Sequence, residues 1–136
     1  MAYGRGGIDR EGIGAWNATY IADNGLKTLA GDGKTTLNRA AVIGKAVALT
    51  AADTVGYGTD GDALEGVIVQ YEYDGYVTVQ KRGYATVPVV DGSEPAVKDV
   101  VVVNGAGAVK TLAATKYGPK VESVDATANT AVVFLG

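Results

Sequence analysis

Three sets of residues in this chain could do chemistry. Ala30 to Thr36, A-G-D-G-K-T-T, ends like a phosphate-binding loop, in which backbone N–H groups and a lysine cradle phosphates. That motif requires a glycine five residues before Gly33, and position 28 is Thr28, with no strong apolar strand before it and no clear helix after it. A solvated turn is the better reading. Asp53, Asp60 and Asp62 are hard oxygen donors of the kind that bind calcium or magnesium. The Asp60-Gly61-Asp62 spacing lacks the further ligands and terminal glutamate of an EF-hand loop, so it reads as an exposed acidic turn. The third set is aromatic: Tyr71, Tyr73, Tyr76 and Tyr84 fall close together, and tyrosine suits contact surfaces because it buries a large ring while keeping a polar tip.

Catalysis is poorly served. The chain has no histidine and no cysteine, and its only serines are Ser93 and Ser123, so neither a Ser-His nor a Cys-His pair can form. The same lack removes the best transition-metal ligands. A glycosidase-type carboxylate pair is formally available among 15 acidic residues, but their placement in turns singles out no pair. The chain is therefore expected not to be an enzyme and to need no cofactor.

Charge narrows the partners. The formal net charge is -3, and Lys81-Arg82 is the only adjacent basic pair, so no basic stripe is available to neutralise phosphates. Nucleic acid is not an expected partner. No run approaches the ~18 apolar residues of a membrane span, and the charged start (Arg5, Asp9, Arg10, Glu11) does not resemble a signal peptide, so no membrane is expected either. With 136 residues the chain has the size of one ordinary domain.

The elements that must position these residues read as strands. Val, Ala, Gly and Thr dominate, and there are 8 tyrosines. The clearest statement is Gly66 to Arg82, where two alternating runs flank Asp74-Gly75. A two-residue loop would put the valines of the two runs on opposite faces. A three-residue loop, Tyr73-Asp74-Gly75, with Gly75 left-handed, pairs Tyr71 with Val77 and Val69 with Val79, and puts Val67, Val69 and Tyr71 on one face.

From Leu37 onward, short apolar runs recur between turn residues, as in a small sandwich or barrel. Ala41 to Ile43 and Ala46 to Thr50 read as a strand pair or a bent strand about Gly44, and Ala51 to Leu64 as a loop. Tyr84 to Val90 contains Pro88 and so belongs at an edge or a bulge. Val97 to Val103 reads as a strand buried on both faces, turned by Asn104-Gly105, with Val109 to Leu112 returning. Val121 to Val124 and Ala131 to Leu135 complete the set. Residues 1–36 are Gly-rich and weakly periodic, an extended arm that packs on its own domain or on a neighbour, so the expected division is arm 1–36 and β domain 37–136. Its apolar anchors are Tyr3, Ile8, Ile13, Trp16 and Tyr20.

From Gly44 onward the order of features resembles the capsid cement, or head decoration, proteins of tailed bacteriophages. The resemblance runs through G-K-A-V-A-L-T at 44–50, an acidic glycine-rich loop, G-V-I-V at 66–69, D-G-Y-V-T-V-Q at 74–80, G-Y-A-T-V-P-V at 83–89, the valines at 100–103, and A-V-V-F-L-G at 131–136. It implies an all-β fold, a small β-barrel or β-tulip-like domain. It further implies a protein made in the host cytoplasm that sits on the outer surface of the phage head, as a homotrimer bridging neighbouring copies of the major capsid protein. Tyr3, Ile8, Ile13, Trp16, Tyr20, Tyr73 and Tyr76 are then the expected capsid or subunit contacts. A carbohydrate-binding or ligand-binding β module and a tail or fibre component are the alternatives.

Overall fold

The computed structural model describes residues 15–31, 39–72, 75–90, 93–112 and 118–136. Among the described residues the fold is all-β apart from one short helix and one 3-10 turn. Five strands close a barrel: β1 (Trp16–Ala22), β2 (Ala46–Ala51), β3 (Thr54–Gly56), β4 (Gly66–Tyr71) and β5 (Tyr76–Arg82), in the spatial order β1-β3-β2-β4-β5. The barrel closes because β1 pairs antiparallel with β5 and, at its other edge, parallel with β3.

Five further strands make a second layer. β6 (Tyr84–Pro88), β9 (Lys120–Asp125) and β10 (Thr130–Phe134) form a sheet in the order β6-β10-β9, and β7 (Val101–Val103) with β8 (Val109–Thr111) forms a hairpin. Two single bridges, Val89 to Val109 and Val100 to Lys120, tie that hairpin to both sides of the sheet. Pro88 lies on β6, an outer strand of the three, where a missing N–H costs no ladder bond.

Two apolar cores follow from this arrangement, and β2 and β4 form the wall between them. Val47 and Ile68 point into the barrel with Val55, Tyr71, Val77 and Val79. Ala46, Ala48 and Val67 point the other way, onto Val87, Val101, Val103, Val109, Val121 and Val133. Buried on both faces at Ala46 to Ala48 and at Val67-Ile68, these strands lose the polar alternation of a half-exposed sheet.

The central hairpin carries the most informative correction. Tyr71 pairs with Val77 across a loop in which Gly75 has φ 90° and the Glu72 N–H donates to the Tyr76 carbonyl at 2.6 Å. That register is the one the expected three-residue loop requires, and Tyr73 and Asp74 themselves lie outside the described residues. Val69 does not meet Val79. A bulge between Ile68 and Gln70 inserts Val69, so Ile68 pairs with Val79 and is fully buried, while Val69 is 39% exposed. One extra residue reverses the face of everything that precedes it in the strand.

Within the expected arm, the described residues 15–31 are part of the barrel and its cap. β1 is a barrel stave, and α1 (Asn24–Ala30) follows it, with Leu26 and Ala30 buried in the barrel core. The Asp23 side chain caps α1 by accepting the Leu26 N–H at 2.9 Å, and Gly31 ends the helix at φ 84°. The expected boundary at residues 36 and 37 falls outside the described residues, as do Asp32 to Thr36 of the loop resembling a phosphate site.

Three smaller expectations change. Residues 39–41 form a 3-10 turn and 42–44 a further turn, not a strand, because Gly44 takes φ 85° and Val42 turns into the barrel core. Inside the expected loop 51–64 lies β3, held between β1 and β2. The valine strand begins at Val101, since Lys98 has φ 78° and Val97 is 54% exposed. Its hairpin loop is Asn104 to Ala108, closed by Asn104 Oδ1 accepting from the Ala106 and Ala108 N–H groups at 2.8 and 3.1 Å.

Candidate contact surface

The pairing of β1 with β5 decides which expected contact residues face outward. Val77 and Val79 face into the barrel opposite Tyr20 and Ala18, so Thr78 and Tyr76 face out opposite Thr19 and Ile21. Tyr76 is 46% exposed and Ile21 40%, and the two side by side form an apolar pair on the outer wall. At the far end of the same strands Trp16 pairs with Arg82 and is 55% exposed, with the guanidinium 5.3 Å from its ring centroid. That cation–π contact leaves the indole held in place on the surface.

Tyr20 has a different task. Its ring packs against the barrel core, and its hydroxyl donates to Glu65 Oε2 at 2.7 Å. Lys81 Nζ meets the same oxygen at 2.9 Å and lies 5.5 Å from the Tyr20 ring centroid. The three groups tune one another. Burial pushes the Tyr20 hydroxyl pKa up. Burial also works to raise the Glu65 carboxyl, but hydrogen bonds from Lys81 and Tyr20 outweigh it and hold that carboxyl below its usual range. Hydrogen bonding to Tyr20 and Glu65 raises Lys81. The phenol, carboxylate and ammonium pair with one another, and the arrangement clasps β1 to β5 and to the entry of β4.

The tyrosines expected to gather around the hairpin are parted by the barrel wall. Tyr71 is buried in the core, Tyr76 is outside, and Tyr84 is half-buried against Phe134, their ring centroids 5.1 Å apart. Tyr3, Ile8, Ile13 and Tyr73 lie outside the described residues.

Sequence reasoning missed a second exposed apolar surface. A groove of about 330 Å³ runs between the outer wall of β4 and β5 and the start of β6, lined by Ile43, Val67, Val69, Gln80, Tyr84 and Thr86. Ile43 is 42% exposed and Val69 39%. Gln80 Nε2 closes the floor by donating to the Arg82 and Tyr84 carbonyls at 2.9 and 3.0 Å. Ile43 and Val69 gave no sequence signal as surface residues, because the turn at Gly44 and the bulge at Val69 set their directions.

The acidic residues do not converge. Asp60 pairs with Lys110 at 2.8 Å, and Asp62 Oδ2 accepts the Thr59 N–H at 2.9 Å, ordering its own turn. Among the described residues no three His, Cys, Asp or Glu side chains gather as a metal site. A smaller groove of about 270 Å³ lies beside α1, with Leu29, Tyr57, Gly58 and Gly105 on its walls.

No protein-family model and no curated protein matches the chain. Among solved structures it is similar to a chain of "The capsid of Myoviridae Phage XM1", at 17% identity and a TM-score of 0.59, over 90% of this chain and 83% of that one. At that identity the likeness is one of fold alone.

Proposed function

We propose that this chain is a structural protein of a phage virion, a capsid cement protein that binds the outside of the head and bridges neighbouring major capsid protein subunits. Support comes from the fold likeness, which runs through both layers of the molecule and matches a chain from a phage capsid. A rigid barrel with an exposed Trp16, Ile21 and Tyr76 on its outer wall suits that work, since ordered aromatic side chains bind at low entropic cost. Each copy need hold the head only weakly. In a homotrimer, one docked subunit raises the effective concentration of the other two, so weak contacts add to a durable hold.

The test is to mix purified protein with undecorated heads and image them by electron cryomicroscopy. Added density on the outer surface at local threefold positions, in proportion to capsid subunits, is the expected result. Density confined to the tail, or none on the head, overturns the proposal.

A further inference from the structure

We propose that the chain is a tandem repeat of one five-stranded unit, residues 16–82 and 84–134, and that the second unit receives β1 of another copy of the chain where the first receives β6. The inference does not rest on the capsid reading.

Strand order carries the repeat. Val100, just before β7, bridges Lys120 on β9, and Val89, just after β6, bridges Val109 on β8. Together with the β6-β10-β9 and β7-β8 ladders, these bridges join the second layer into a ring, β6-β8-β7-β9-β10. Numbered within its own unit, each ring runs first, third, second, fourth, fifth strand. In both, the first and third strands are parallel and every other pairing is antiparallel.

Backbone details repeat at the same places. The fourth strand of each unit carries one extra residue, Val69 between Ile68 and Gln70, and Glu122 between Val121 and Ser123. Left-handed residues fall at Gly44, Asp53 and Gly75 in the first unit and at their counterparts Lys98, Gly107 and Asn129 in the second. The Gly44 N–H donates to the Ile68 carbonyl as the Lys98 N–H does to that of Val121, each at 2.8 Å. The Ala22 N–H donates to the Gly75 carbonyl as the Val89 N–H does to that of Asn129, each at 2.9 Å.

The groove is where the two units meet. Ile43, Val67, Val69 and Gln80 of the first unit face Tyr84, Ala85 and Thr86 at the start of β6. Strand register gives their counterparts as Val97, Lys120, Glu122 and Phe134 on the second unit, and Asn17, Ala18 and Thr19 on β1. Burial differs as an unfilled position of the repeat requires. Val67 and Gln80 are buried, whereas Lys120 and Phe134 are exposed; Ala85 is buried, whereas Ala18 is half-buried. Val97 is exposed as well. β3 pairs with β1 only at Ile21 and Ala22, so Asn17 to Thr19 are laddered on one side alone, by β5. A face and a strand whose counterparts bind each other within the chain are complementary between chains, and the contact they make is head-to-tail.

Val97→Asp removes the face and Thr19→Lys blocks β1; both positions are exposed, so circular dichroism melts should show both variants folded. By size exclusion with light scattering, the unmodified protein is expected to be oligomeric at millimolar concentration, and each variant to associate at least tenfold more weakly. An equimolar mixture of the two variants is expected to form a dimer and nothing larger, because the first keeps β1 and the second keeps the face. A monomeric unmodified protein, variants that associate as it does, or a mixture that stays monomeric overturns the proposal. Tyr76→Ala, on the wall assigned to the capsid, is expected to leave association unchanged, which separates failure here from failure of the capsid reading. Loss of association in that variant moves the contact to the outer wall and overturns the assignment.

Discussion

Ile68 and Val69 are adjacent, similar in chemistry and opposite in fate. Ile68 is fully buried and Val69 is 39% exposed, because the bulge turns one into the barrel and the other out of it. Ile68→Ala should therefore cost ~3 kcal/mol through lost burial and a residual cavity, whereas Val69→Ala should cost under about 1 kcal/mol, both read from urea unfolding. Equal costs would mean that the strand is not bulged. Gly66 is another position decided by space. A Cβ there would fall on the Gln80 carbonyl oxygen and Val79 Cγ1, backbone and packed core. Gly66→Ala should thus destabilise by about 1 to 3 kcal/mol, as overpacking does.

The Tyr20, Glu65 and Lys81 group carries a pH dependence with a definite sign. Glu65 is held below its usual range, so its contribution is present above the unfolded carboxyl pKa and is lost as pH falls through the folded one. Lys81 and Tyr20 are raised, so theirs is present below the unfolded values and is lost as pH rises through the folded ones. Glu65→Gln should flatten the acid limb of a Tm against pH curve, the gap to the unmodified protein closing below about pH 4. Side chains about one-quarter exposed limit the effect to roughly 1 kcal/mol.

At the scale of elements, β1 has the decisive place. It pairs with β5 along its length and with β3 at its end, so without it the barrel has two open edges and loses Ala22 from its core. Removing residues 1–14 should leave cooperative unfolding intact, and removing residues 1–22 should abolish it, as circular dichroism melts would report. α1 is the lesser case. Asp23→Ala removes the cap on Leu26 and should cost about 1 kcal/mol.

For the whole molecule, Ile21 and Tyr76 stand exposed on the outer wall of β1 and β5, away from Gln80, where that wall meets the start of β6. Ile21→Ser with Tyr76→Ala should leave stability within roughly 0.5 kcal/mol per site, since both side chains stand on that wall. In the capsid reading the same double change should lower occupancy on phage heads at least tenfold, because every subunit of an oligomer loses its anchor together. Unchanged decoration would move the contact surface elsewhere.

Much of this architecture was legible in the sequence. Valine-rich runs between glycine and aspartate turns indicated an all-β domain, Asp74-Gly75 marked the hairpin, and Pro88 placed its strand at an edge, because backbone stereochemistry and side-chain alternation are local properties. Tertiary structure decided the rest. Whether Trp16 to Ala22 is arm or barrel stave depends on partners 33 to 66 residues away, Thr54 to Val55 and Tyr76 to Arg82, which no local pattern records. The direction of Val69 depends on a bulge, and the groove it lines on a layer contributed by β6. Composition and periodicity fix which residues prefer burial; which of two faces receives them is set by long-range strand register, and one inserted residue reverses it.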